Sequence, residues 1–384
     1  MTRRRTTRAE VSSRSRPRPV TDAVPEAAPF VPPYPPSWFD RLSARLDRLP
    51  VSPHILYLSF GIVLFVVFTL VQWREGGYPV WEIRPFHISF AAWLPFMLAM
   101  MHYLDRLAAH AFESFRPALS AASDESRTLL YRLTTLPAAT AARVAGGLVV
   151  VNTLLVLVDD RVFRPAGEGS VFDFGPQLLQ IAATPLSLAV VGVLLLGVWW
   201  ISGTFLYHTF HQLRVISRIY TRHTLIRLLH LGPLYTFSRV TQRTTIGILV
   251  FFYMFSLSAT GFRGQPAFLI AGGILFAAVA AVTFAWPLVG VHRLLVFEKE
   301  RRLEENTRRL EAGIADLHQR MDRRNLSGMQ DLNLALASLD LERSALARIP
   351  TWPWDPGTLR GLVAALLVPI IIWAIQLGAE GWLP

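Results

Sequence analysis

The chain of 384 residues contains no cysteine. That excludes a disulfide framework, a thiolate metal site, an iron–sulfur cluster and a cysteine nucleophile. Charge is also scarce, since Asp, Glu, Lys and Arg make up 17% of the residues against 52% hydrophobic ones, and the mean hydropathy is +0.37. This is the wrong balance for a soluble protein of this length and implies a polytopic membrane protein. A phosphate loop, a Gly-x-Ser-x-Gly elbow, a His-Glu-x-x-His motif and a paired-carboxylate motif are all missing, so neither an enzyme nor a cofactor is expected. The net charge of +11 would point to nucleic acid in a soluble chain. Here the arginines belong beside the lipid bilayer instead, and no nucleic-acid partner is expected.

Seven stretches approach the roughly 20 apolar residues that a bilayer core requires. They run 55–73, 86–103, 136–158, 177–202, 244–262, 266–289 and 362–378. None contains Asp, Glu or Lys, which argues against an ion-coupled transporter, and the one arginine inside them, Arg143, has a stem long enough to snorkel to the headgroups. The interior polar groups are soft: Asn152, Thr153, Thr184, Ser187, Tyr253, Ser256, Ser258, Thr283 and Gln376. Backbone carbonyls and neighbouring helices satisfy such groups. The row Gly273, Ala277, Ala281 marks close helix packing.

Basic residues near span ends stay on the cytoplasmic side. With seven spans, 33 basic residues fall on the side of the N-terminus and five on the other. This predicts a protein of a bacterial inner membrane with its N-terminus cytoplasmic and its C-terminus outside.

The fold expected is all-α, with six spans in residues 53–291 flanked by cytoplasmic parts. Residues 1–36, rich in Arg, Ser and Pro, read as a disordered basic tail that can lie on anionic lipid. Residues 37–52 read as an in-plane amphipathic helix, opened by a Ser37/Asp40 capping box and apolar at Trp38, Leu42, Leu46 and Leu49. The fourth span continues past the membrane at helical spacing until Gly232–Pro233, the first strong stop. The sixth leads into a cytoplasmic hairpin, 292–348. Leu303, Leu310 and Leu317 recur there at spacing seven, with Ile314 and Met321 in the complementary positions. Ser327 with Gln330 offers the cap of the returning helix, which carries Met329, Leu332, Leu336, Leu339 and Leu346. These stripes pack on one another within the chain or join subunits in an oligomeric collar, and the two uses are compatible.

Residues 349–384 hold the re-entry to the seventh span. Trp352 and Trp354 suit a headgroup interface, and Asp355 before Pro356 is an N-cap that fixes the start of the last helix, making this stretch a hinge. His208 and His211 share a helix face, with His223 and His230 beyond, but no third ligand is evident and no metal site is expected. His87 and His102 bracket the second span as interfacial polar groups.

Seven spans with the N-terminus inside, prolonged fourth and sixth helices and a cytoplasmic helix leading into the seventh span resemble the insect odorant and gustatory receptor-like family. That family's seventh-helix motif is Thr-Tyr, five apolar residues, Gln-Phe. Ile371 to Ile375 and Gln376 fit it here, while Pro369, Ile370 and Leu377 occupy the remaining places. The resemblance implies a homo-oligomeric cation channel whose seventh helix lines the pore, with Gln376 and Glu380 near its outer mouth. Two other classes meet the same residues: a non-conducting sensor or scaffold for a cytoplasmic partner, and a carrier of an uncharged or lipidic substrate.

Overall fold

The computed structural model describes residues 30–75, 79–81, 83, 85–162, 184–258, 266–324, 327–354 and 357–367. Among them every extended element is a helix: α1 (Trp38–Leu46), α2 (Pro53–Arg74), α3 (Pro85–Phe115), α4 (Ser123–Thr134), α5 (Ala138–Val162), α6 (Pro185–Arg222), α7 (Thr236–Ser258), α8 (Pro266–Asp322), α9 (Met329–Arg348) and α10 (Gly357–Leu367). Five of these, α2, α3, α5, α6 and α8, are long and apolar enough to cross a membrane. The chain is an integral membrane protein. The fifth and seventh expected spans run from α7 and α10 to residues outside the described set.

α3 is the central element and packs on α2, α6 and α7, while α5 lies against α6 and α8 against α6, α7 and α9. Pro95 sits inside α3. Its ring fits against Gly61 of α2, where a Cβ would lie 3.2 Å from the proline Cγ. The α5–α6 crossing is closer still: a Cβ on Gly203 would lie 2.7 Å from the Ala145 Cα, so only glycine lets the two backbones approach in this way.

α3, α6 and α8 have 31, 38 and 57 residues, well beyond the span of a bilayer. Their surplus length builds a second core at the arginine-rich end. Phe112, Phe115, Tyr220, Phe237, Leu288 and Leu346 are buried in it, and Phe115, Tyr220 and Phe237 pack ring on ring at 5.1–5.7 Å. α1 docks nearby. Its Ser37/Asp40 capping box forms as the sequence predicts, but the residue it buries completely is Phe39, against Met97, Met101 and Phe205, while Leu49 is exposed.

α6 stops at Arg222, ten residues short of the expected Gly232–Pro233 stop. Its end is set by a distant segment. The His223 carbonyl accepts from Ser120 N–H, Leu225 N–H donates to Ala118, and Leu119 and Thr224 form an isolated bridge that pulls the chain out of the helix. Gly232–Pro233 instead opens a short 3-10 turn before α7.

The hairpin of α8 and α9 is present. Asn306, buried, donates to the Leu339 carbonyl and to Glu342, and Lys299 donates to the carbonyls of Ala347 and Ile349 at the C-terminal end of α9. Leu303, Leu310 and Leu317 are half-buried, and Gly313 accommodates Leu336. Asn306 and Gly313 thus complete the heptad positions, whereas Ile314 and Met321 are exposed, in contrast to the expected seam. The Ser327/Gln330 cap does not form either. Gly328 precedes α9 with φ of 71°, and the Ser327 carbonyl takes the Arg320 guanidinium.

Candidate functional site

A buried polar cluster that joins three helices lies where α1, α3 and α6 meet. Asp105 of α3 sits two residues past the predicted end of the second span, with its carboxylate 2.8 Å from Nε2 of His208 on α6. His208 is 1% exposed. One turn along α6, Gln212 reaches toward the same carboxylate oxygen at 3.4 Å and toward the carbonyls of Leu104 and Leu133 at 3.5 Å. The Phe39 ring of α1 meets the imidazole edge-on, with centroids 6.2 Å apart. Nδ1 of His208, Oγ1 of Thr209, Oε1 of Gln212, Oδ1 of Asp40 and Nε1 of Trp38 have no protein hydrogen-bond partner in this region. Most of these atoms are acceptors. The cluster is therefore chemically suited to water, a proton or another donor.

The segment before α1 ties this cluster to the α4–α5 corner. Asp40 Oδ2 accepts from the Ser37 and Leu136 backbone N–H groups, and burial pushes the Asp40 carboxyl above its ordinary range. Tyr34 donates to the Thr135 carbonyl and accepts at its own carbonyl from Tyr131, and burial raises its phenol as well. His211 turns away from His208 and donates to the Arg132 carbonyl. The two histidines that share a face in sequence therefore serve different partners. Among the described residues no group of three His, Asp or Glu side chains is placed to hold a metal.

A second network lies one turn back along α3. Tyr57 of α2 bonds Nδ1 of His102 at 3.1 Å, and Nε2 of His102 meets Asp47 at 3.0 Å. Arg106 pairs with the same Asp47 oxygen. His102 is thus buried within the chain as a link between Tyr57 and Asp47. His87 is also fully buried. Both histidines are drawn inside because α3 has neighbours on several sides.

The expected hinge residues Trp352 and Trp354 stack on each other at 4.4 Å, with Trp352 on His292 at 3.9 Å and Trp354 against Phe284 at 5.4 Å. His292 Nδ1 donates to the Thr351 carbonyl. The re-entry is clamped to α8 by this row of rings. Asp355, Gln376 and Glu380 lie outside the described residues. Asp105 was not singled out in the sequence, although it follows Met101 by one helical turn on the apolar face, and that spacing is the signal that could have found it.

The chain matches no family model, no curated protein and no solved structure.

Proposed function

We propose that this integral membrane protein is a homo-oligomeric, receptor-like cation channel with seven spans, its N-terminus cytoplasmic and α10 the start of a pore-lining seventh helix. The observation that carries this reading is the attachment of α10. Gln242 of α7 donates to the Thr358 carbonyl at 2.9 Å, a Cβ on Gly361 would run into that glutamine's nitrogen, and Leu362 is buried in the same core as Phe115 and Tyr220. A rearrangement of the arginine-side core would be passed to the last helix through these contacts and the Trp352–Trp354 clamp. The resemblance to insect chemoreceptor-like channels implies the same arrangement, with Gln376 and Glu380 at the outer mouth. Purified protein in planar bilayers is the test. Unitary cation currents with selectivity reduced by Glu380→Lys are expected. A protein that never conducts contradicts the reading.

A second reading, a non-conducting scaffold for a cytoplasmic partner, is favoured by one observation. Leu334 and Leu341 of α9 are 59% and 72% exposed, on the side away from α8. Absent currents, together with a partner lost on Leu334→Asp/Leu341→Asp substitution, would select it.

A further inference from the structure

The α2–α3 contact leaves an open apolar groove of about 440 Å³, lined by His54, Tyr57, Gly61 and Phe65 of α2 and by Ala92 and Ala99 of α3. It exists because small residues on both helices face each other around the Pro95 wedge. It opens on the outer face of the bundle: Leu58, Ile62 and Ile88 beside it are 66%, 55% and 57% exposed, and only 17% of the apolar stretch of α2 is buried within the chain. In a bilayer that face meets lipid tails. From His54 to Phe65 the groove runs roughly 16 Å along α2, about half of a ~30 Å hydrocarbon core, which is the depth of one leaflet.

The two ends of the groove differ. The Phe65 end is apolar. At the other end stand His54 and Tyr57, and Tyr57 leads through His102 to Asp47 and Arg106. Arg106 follows Ala99 by two helical turns, so it lies on the same face of α3 about 10 Å further out. Its side chain is 47% exposed even though it pairs with Asp47, which leaves guanidinium donors free to face the headgroup region. Arg48, next to Asp47 in sequence, is exposed. Tyr103, 37% exposed, marks the interfacial level between them. Asp47 thus pairs with one arginine and one histidine, and a second, exposed arginine follows it in sequence, at the mouth of an apolar, leaflet-deep slot.

We propose that this groove binds one acyl chain of an anionic phospholipid from the leaflet on the arginine-rich side, with Arg106 and Arg48 receiving its phosphate. The apolar slot supplies affinity for any acyl chain, and the bidentate geometry of arginine toward phosphate oxygens supplies the preference for an anionic headgroup. A second copy of the chain would need a ridge of leaflet depth with acidic residues at one end, and the mouth chemistry favours the lipid instead.

Native mass spectrometry of the full-length protein, released from nanodiscs of phosphatidylcholine with a minority of phosphatidylglycerol, tests this. Wild type should leave the nanodisc carrying a single phosphatidylglycerol per chain. Ala92→Phe and Ile62→Trp, which fill the slot from its open side, should each lose that lipid. Ile62 is lipid-exposed, so its variant folds even if the half-buried Ala92 position does not tolerate phenylalanine. Arg106→Gln should still retain a lipid, with its several-fold preference for phosphatidylglycerol abolished. Wild type released without lipid, or equal retention and preference in folded Ile62→Trp and Arg106→Gln, would overturn the proposal. A change of oligomeric state in the filled variants with no change in lipid would assign the groove to a second copy and overturn it equally.

Discussion

The two ends of the helix bundle are built on opposite plans. Within the apolar stretches burial follows position in the bundle, 61% in the central α3 and 11% in α5, which packs mainly on α6, and the arginine-rich end adds a core of its own. α5 presents Val150, Val151, Leu154 and Leu155 outward, because lipid tails are as apolar as leucine and nothing is gained by hiding them. Its mid-helix Asn152 donates to the Leu148 carbonyl of the preceding turn. At the arginine-rich end the logic is that of a water-soluble core. Aromatic rings and leucines are inside, ion pairs are on the rim, and the half-buried carboxylate of Asp105 has the buried His208 beside it. The difference teaches that long helices here serve two solvents, and that each side chain's effect depends on which one it meets.

The largest expected effect lies at the buried pair. Asp105→Ala strands His208 and Gln212 and should cost about 3–5 kcal/mol of stability. The double replacement Asp105→Leu/His208→Leu should recover much of that loss, since no uncompensated polar group remains. Titration into denaturing detergent reads both. A single substitution no worse than the double one would mean the pair is not the keystone of this end.

Next comes the hairpin. Leu346→Ala removes a buried side chain from the arginine-side core and should cost about 2–4 kcal/mol. Leu341→Ala on the same helix, 72% exposed, should stay within about 0.5 kcal/mol. Equal losses would mean that the outer stripe of α9 is covered. In the apolar half, Gly203→Val pushes a side chain into the Ala145 backbone and should cost about 2 kcal/mol. Val151→Ala on the lipid-facing side of α5 should be close to neutral, and a comparison of melting temperatures in micelles separates them.

Much of the architecture was legible in the sequence because it is local. The Ser37/Asp40 cap, the apolar runs and the spacing of the α8 leucines are all patterns within a few turns. What escaped was set across the chain. Asp105 and His208 are 103 positions apart, so no local pattern joins the carboxylate to its imidazole. The stop of α6 depends on Ser120 and Ala118, and His102 is inside because of Tyr57 and Asp47. Phe39 was passed over for Trp38 and Leu42 because the periodicity of a nine-residue helix does not say which of its apolar neighbours faces inward. Gly328 displaced the Ser327 cap because the turn needs a positive φ, which glycine adopts without strain.

The smallest expected effect sharpens the same comparison through pH. Burial raises the Asp40 carboxyl above its unfolded value, so the folded state holds that proton more tightly than the unfolded one. Stability should therefore fall as pH rises from the ordinary carboxylate range through the raised one. Asp40→Asn keeps an acceptor for Ser37 and Leu136 without the charge. Its stability relative to wild type should improve modestly toward neutral pH, and unfolding curves across pH would show it. A shift in the opposite sense would mean that the charged form of Asp40 is the one the fold prefers.

The proposed orientation puts the arginine-rich end in water on the cytoplasmic side and the other half in lipid. The cysteine-free sequence allows a direct test with single cysteines at Leu229 and Leu341, 86% and 72% exposed, and at Leu155, 56% exposed. A membrane-impermeant maleimide should label Leu229→Cys and Leu341→Cys in inside-out vesicles, leave them unlabelled in intact cells, and spare Leu155→Cys in both. Labelling of Leu229→Cys or Leu341→Cys from outside intact cells, or rapid labelling of Leu155→Cys, would contradict it.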